Sequence, residues 1–310
     1  MPQFGYQVLG FGGGGGAPPT VWKVHKFTGS GETFVVGASG GGDVEIFAIG
    51  GGGSGAFGPG WGGGGGNGAA MDSSGNGFVA SATLPLTNNI ELGWAVHTVT
   101  NGYTYDITIG AGQARNAGSG YGGQTKITSD DSGSEVYLVS FSAGGLGGGG
   151  AGGRTGNGAQ GFRGGGGGGY GGGGGYSEGG DSNGFTENYS WGGRGAAGRN
   201  SGPSYGGGGG GPRAHASASV STQSNTPGAG ITNTFLDNST SVTYGQGGHG
   251  GTSTNHSTAD NDGDANSGEG GDGAKNGNND SGNGGSGVVI IRYPEGTIDA
   301  SGGTETTFSV

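Results

Sequence analysis

Val44-Glu45-Ile46-Phe47-Ala48-Ile49 runs directly into Gly50-Gly51-Gly52-Gly53. The first six residues read as a strand, because β-branched and aromatic side chains suit a pleated, half-buried surface. The four that follow carry no side chain to pack and favour neither a strand interior nor a helix. The same alternation recurs along the sequence. Strands are predicted at residues 21–27, 33–38, 44–49, 90–100, 103–109, 124–128, 135–141, 216–222, 231–236, 241–244, 288–293 and 304–310. Between them lie glycine-rich stretches, chiefly 50–70, 110–123, 144–211 and 245–287.

Glycine supplies 93 of the 310 residues, cysteine none, and hydrophobic side chains 28 %. The missing cysteine excludes a disulfide-stapled scaffold and a thiolate metal site. Collagen is excluded too, since the glycines come in unbroken runs (12–16, 62–66, 164–169, 206–211) and proline numbers only 9. Ordering a glycine costs roughly 0.5–1 kcal/mol more than ordering an alanine. The runs are therefore either unordered or held by something that only glycine permits. A polyglycine-II helix meets that condition: it rises about 3.1 Å per residue with three residues per turn. Without Cβ atoms, such helices can approach to about the 4.7–4.9 Å separation of paired strands. Their main-chain groups can then bond sideways, each bond contributing about 0.5–1.5 kcal/mol net.

Asn101-Gly102, between the runs 90–100 and 103–109, is a strong hairpin signature, because a type I′ turn needs positive φ at both central positions. Pairing outward predicts Thr100 opposite Tyr103, Thr98 opposite Tyr105, Val96 opposite Ile107 and Trp94 opposite Ile109 on a buried face. His97 and Asp106 would then pair on the wetter face. Helix signals are nearly absent, so the sheet must pack on another sheet. The expected fold is mainly β: a sandwich or roll of short strands whose long glycine loops pack as polyglycine-II helices, with almost no α-helix. Its divisions are an N-terminal strand or anchor segment 1–19, a glycine-rich β-sandwich domain 20–294 and a C-terminal tail strand 295–310.

Little in the sequence points to catalysis. No lysine follows a glycine, which removes the Walker-A loop. His97 with Asp106 reads as a cross-strand pair rather than part of a triad. Formal net charge is −11, so Arg163-Gly164-Gly165 does not make a nucleic-acid-binding tail. No secretory signal is expected, and no apolar run approaches the length of a membrane span. Asp260, Asp262, Asp264, Glu269, Asp272 and Asp280 cluster in one stretch. Oxygen ligands at alternating positions suit calcium, and Asp260, Asp262 and Asp264 are its candidate ligands. Ala265 breaks the EF-hand pattern, so a solvated acidic loop is the competing reading. The aromatics within the glycine stretches carry more weight. Trp61, Tyr121, Tyr170, Tyr176, Tyr189, Trp191 and Tyr205 either present rigid anchors to a sugar or protein, or cap the glycine helices against water.

The segment His25-Lys26-Phe27-Thr28-Gly29-Ser30-Gly31-Glu32-Thr33-Phe34, leading on to Val44–Gly53, resembles the opening of the glycine-rich domain of tail-fibre and other virion proteins of tailed phages, marine cyanophages especially. Residues 103–112 (YTYDITIGAG) resemble its middle strand, and 284–294 (GGSGVVIIRYP) its closing strand. The N-terminal FGYQVLGFG is similar to the start of short cyanophage structural proteins. The resemblance implies a non-enzymatic virion appendage, a fibre tip or capsid fibre, binding a host-surface glycan or protein through loops at the tip of a glycine-helix bundle. Its partners would be further copies of itself, with a trimer favoured, and other virion proteins. The alternative is a self-assembling extracellular fibre subunit, in which residues 4–11 or 304–310 add as an edge strand to the next copy.

Overall fold

In the computed structural model, residues 21–56, 94–115, 122–129, 136–141, 209, 225–252, 262–274 and 281–310 are described. They contain twelve strands: β1 (Val21–Phe27), β2 (Glu32–Val36), β3 (Gly42–Ile49), β4 (Trp94–Val99), β5 (Thr104–Thr108), β6 (Thr125–Ser129), β7 (Val136–Phe141), β8 (Ile231–Asn233), β9 (Val242–Tyr244), β10 (Val288–Pro294), β11 (Ala300–Ser301) and β12 (Thr304–Ser309). No helix occurs among the described residues. Two five-stranded sheets have the orders β12-β1-β10-β3-β4 and β11-β2-β5-β6-β7, and β8 pairs with β9. Every pairing is antiparallel.

Alternation along the strands assigns each side chain to a layer. Val44, Ile46 and Ala48 of β3 meet Phe34, Tyr105, Ile107 and Ile127 of the second sheet in the main core. Phe47 and Ile49 point the other way, onto Phe235 and Tyr244 beside the β8–β9 hairpin. Phe47 lies 4.5 Å from the Tyr244 ring centroid. β10 is buried along its whole length, which accounts for its unbroken apolar run. Val289, Ile291 and Tyr293 serve the first core and Val288 and Ile290 the second. Arg292 emerges on the hairpin side, where its guanidinium meets Glu45 at 2.7 Å and lies 4.0 Å from the Phe235 ring centroid.

The hairpin expected at Asn101-Gly102 is not formed. β4 pairs with β3, placing His97 opposite Val44, while β5 pairs with β2 and β6, placing Asp106 opposite Thr33. The expected Thr98–Tyr105 register and the His97–Asp106 pair are therefore wrong. The turn itself exists: Tyr103 N donates to Thr100 O at 3.3 Å. Gly102 has φ 76°, but Asn101 is not left-handed. Positive φ at the second central residue alone defines a type II turn, which splays the flanking strands instead of pairing them. The chain thus crosses from one sheet to the other, and Thr100 N donates to the Tyr105 hydroxyl at 2.9 Å across the corner.

Other strands differ mainly in extent. The run expected at 231–236 stops at Asn233, whose side-chain oxygen accepts from Phe235 N at 3.1 Å and turns the chain. β11 was not expected, and the strand expected at 216–222 lies outside the described residues.

A titratable group sits in the main core. His25 is fully buried, packed edge-on to Phe34 at 5.1 Å between ring centroids. Its Nδ1 lies 2.8 Å from Gly302 O. A carbonyl only accepts, so Nδ1 carries the proton and Nε2 accepts from the Tyr293 hydroxyl at 2.9 Å. Burial holds the imidazole pKa below its ordinary 6.5, against the opposing pull of the Gly302 carbonyl and of Glu305 at 3.7 Å. The unfolded chain then binds the proton before the folded one, so stability is full above the unfolded value and declines as pH falls below about 6.5. The denaturation midpoint should drop between pH 7 and 5, and His25→Gln should remove that part of the slope.

Candidate functional site: a glycine bundle at one end of the sandwich

Beyond the sheets the chain continues as laterally bonded extended segments. Residues 50–56 leave β3, 110–115 leave β5 and 245–251 leave β9, while 281–287 lead into β10 and 268–274 lie among them. Their hydrogen bonds repeat every three residues. Gly52 and Gly55 donate to Gly285 and Gly282, and Gly284 and Gly287 donate to Gln113 and Gly110, at 2.8–2.9 Å. Segment 268–274 bonds three neighbours at once. Gly270 and Gly273 donate to Gln246 and His249, Gly271 and Ala274 to Gly53 and Ala56, and Glu269 and Asp272 accept from Gly285 and Gly282, all at 2.7–2.9 Å. A three-residue repeat that sends consecutive residues to three different neighbours is the geometry of polyglycine II.

Close approach is what demands glycine. A Cβ on Gly55 would fall on the carbonyl oxygen of Asp272, one on Gly284 on that of Gly52, and one on Gly251 on that of Ala274. None of these three has a left-handed φ, so space and not handedness excludes other residues. Side chains return where a segment faces solvent. In Gln246-Gly-Gly-His249-Gly-Gly-Thr252 and Glu269-Gly-Gly-Asp272-Gly-Ala274 every third residue is exposed or half-exposed, and the glycines between are buried. This X-Gly-Gly triplet is a sequence signal for the bundle that glycine content alone does not convey.

The rim is acidic and internally bonded. Asp272 Oδ1 accepts from His249 N at 2.6 Å, and Glu269 Oε2 accepts from Asp264 N at 3.0 Å. Burial raises the Glu269 carboxyl above its ordinary range. Of the candidate calcium ligands, Asp260 lies outside the described residues, and Asp262 accepts from Asn283 N and Nδ2 at 2.7 and 2.8 Å. Among the described residues no group of three or more His, Cys, Asp or Glu is placed to hold a metal ion. Trp61, Tyr121, Tyr170, Tyr176, Tyr189, Trp191 and Tyr205 all lie outside the described residues.

The described residues that flank the aromatic-bearing stretches are Ala56 and Trp94, Arg115 and Gly122, and Phe141 and Gly209. Ala56 and Arg115, which precede the stretches bearing Trp61 and Tyr121, lie at the end of the bundle away from the sheets. Gly122, which follows Tyr121, lies against Gly51 beside the sheets, and Phe141 and Gly209 flank the stretch bearing the other five. Ala274 N donates to Ala56 O and Gly250 N to Asn225 O, and Arg115 N donates to Asn283 Oδ1 at 2.8 Å. Trp61 follows Ala56 closely in sequence, and Tyr121 lies between Arg115 and Gly122. The other end of the sandwich holds the start of β1 and the end of β12, with Val21 opposite Ser309 and Trp22 opposite Pro294. β10 enters from the bundle side, where Val288 pairs with Ile49.

Among the described residues no helix is long and apolar enough to cross a membrane. Comparison of the sequence with models of known protein families, and with curated proteins, returns no match.

Filling a glycine position should be far costlier than altering the rim. Gly55→Ala should destabilise by about 1–3 kcal/mol, as overpacking does. His249→Ala, at an exposed triplet position, should stay within about 0.5 kcal/mol of wild type. Urea denaturation of the two variants compares them directly.

Proposed function

We propose that this chain is a structural appendage protein of a tailed-phage virion, a fibre tip or capsid fibre, that attaches to the host surface by binding without covalent chemistry. The observation that carries the reading is the polarity of the molecule. The first strand begins at one end of the sandwich, whereas the bundle lies at the other, with Ala56, Arg115 and Phe141, after which the aromatic-bearing stretches begin, on that side. An attachment protein needs that division between an anchored end and a presenting end. The motifs that resemble the phage domain also fall on the junctions of the fold: 44–53 runs from β3 into the bundle, 103–112 from β5 into it, and 284–294 from it into β10.

In this reading a rigid glycine bundle holds Trp61, Tyr121, Tyr170, Tyr176, Tyr189, Trp191 and Tyr205 for a surface glycan or protein. Rings with few rotatable bonds give up little entropy on binding. The chain acts as a homo-oligomer, with a trimer favoured, alongside other virion proteins. A calcium ion on Asp260, Asp262 and Asp264 is an optional addition to this scheme.

A second reading rests on β12. Among the described residues it pairs with β1 alone, and five of its six residues are exposed. An exposed edge is a template for another strand, which favours a fibre subunit polymerising by strand addition. The labelled full-length protein should bind host cells. The triple variant Trp61→Ala, Tyr170→Ala, Trp191→Ala should bind at least about tenfold more weakly with an unchanged unfolding midpoint, the loss expected when aromatic anchors are removed. Unchanged binding refutes the attachment surface. Filaments that disappear when residues 1–11 are deleted would establish the fibre subunit instead.

A further inference from the structure

Three buried polar side chains inside the glycine bundle have no protein partner. Ser54 and Ser281 are fully buried and Gln113 is 6 % exposed. Neither serine Oγ nor either polar atom of the Gln113 carboxamide makes a hydrogen bond. Buried polar groups in folded proteins are almost always satisfied, by protein or by ordered water. Four such atoms in one region therefore call for a ligand.

The three residues belong to adjacent segments. Gln113 N donates to Gly52 O, Gly284 N donates to Gln113 O, and Gly55 N donates to Gly282 O, each at 2.9 Å. Their directions follow from the glycines one turn away. A Cβ on Gly51 would meet Ala111 O, one on Gly110 would meet Gly123 O and then Gly51 N, and one on Gly284 would meet Gly52 O. By the three-residue repeat, Ser54 faces segment 110–115, Gln113 faces the gap between residues 122–123 and segment 50–56, and Ser281 faces segment 50–56 from the third side. Along the seam their order is Gln113, Ser54, Ser281, in steps of about two residues or ~6 Å. That is the span of one bridging water, two oxygen–oxygen hydrogen bonds of about 2.8 Å each. Two hydroxyls and a carboxamide are neutral groups that both donate and accept, which matches water, itself a donor and an acceptor.

We propose that the seam between segments 50–56, 110–115 and 281–287 is a binding site for a file of ordered water molecules bonded to Gln113, Ser54 and Ser281. The water completes the hydrogen bonding of the bundle where, among the described residues, polar side chains replace glycine in its interior. Ser54 and Ser281 are thus water ligands inside the bundle, not surface loop residues.

Water-oxygen magnetic relaxation dispersion on the full-length protein tests this, with Ser54→Ala and Ser281→Ala as variants that remove one oxygen each and keep every backbone bond. Wild type should show slowly exchanging internal water whose amplitude falls in both variants, and both unfolding midpoints should drop by about 2–4 °C. The proposal requires both results. A dispersion amplitude equal in wild type and variants overturns it. So does a rise in midpoint, the sign expected when an unpartnered hydroxyl is removed from a dry site.

Discussion

A carbonyl oxygen can come to rest against a neighbouring Cα only where no Cβ intervenes. The architecture depends on that constraint. At Gly52, Gly55, Gly112 and Gly284 a methyl group would occupy the place of a neighbour's carbonyl. Its absence lets segments that share no ladder with the sheets bond three neighbours at once. The extra entropy lost by ordering glycine is offset by a dense set of lateral bonds, not by apolar burial. A chain with 28 % hydrophobic residues and 93 glycines can be ordered on this basis over a region that no oily core fills.

The sandwich sets the register of the bundle. β3 and β10 are paired through Val288 opposite Ile49, and their continuations 50–56 and 281–287 remain antiparallel neighbours, exchanging two-residue ladders for a three-residue repeat. The changeover is anchored by Thr125, whose hydroxyl donates to Ile49 O at 2.8 Å and accepts from Gly110 N at 2.9 Å. One side chain thus joins three segments at the point where sheet becomes bundle.

Much of the fold is legible in the residues, for identifiable reasons. β-branched and aromatic runs located the strands because those side chains have no alternative home in a glycine-rich chain. The pairing was less legible. Asn101-Gly102 looks like a hairpin, but only Gly102 takes positive φ, and a single residue's dihedral separates a hairpin from a crossing between sheets. β11 is two residues long, pairing Ala300 with Val36 and Ser301 with Val35, too short to show any alternation in the sequence. The X-Gly-Gly triplets around Gln246, His249, Glu269 and Asp272 are visible in the sequence, yet their meaning depends on knowing which residue class faces solvent. Ser54, Gln113 and Ser281 look like any polar residue in a glycine loop, and only the packing reveals them as interior. The aromatic candidates fall outside the described residues, so their role rests on where the chain leaves the bundle.

The central claim is that main-chain groups of the glycine segments are bonded to one another. Amide hydrogen exchange resolved over 50–56, 268–274 and 281–287 tests it most directly. The account predicts that Gly52, Gly55, Gly271 and Gly284 are protected to the same degree as Ile46 and Ile290 in the sheets. Exchange of those glycines at the rate of an unstructured peptide, with the strands still protected, would contradict it.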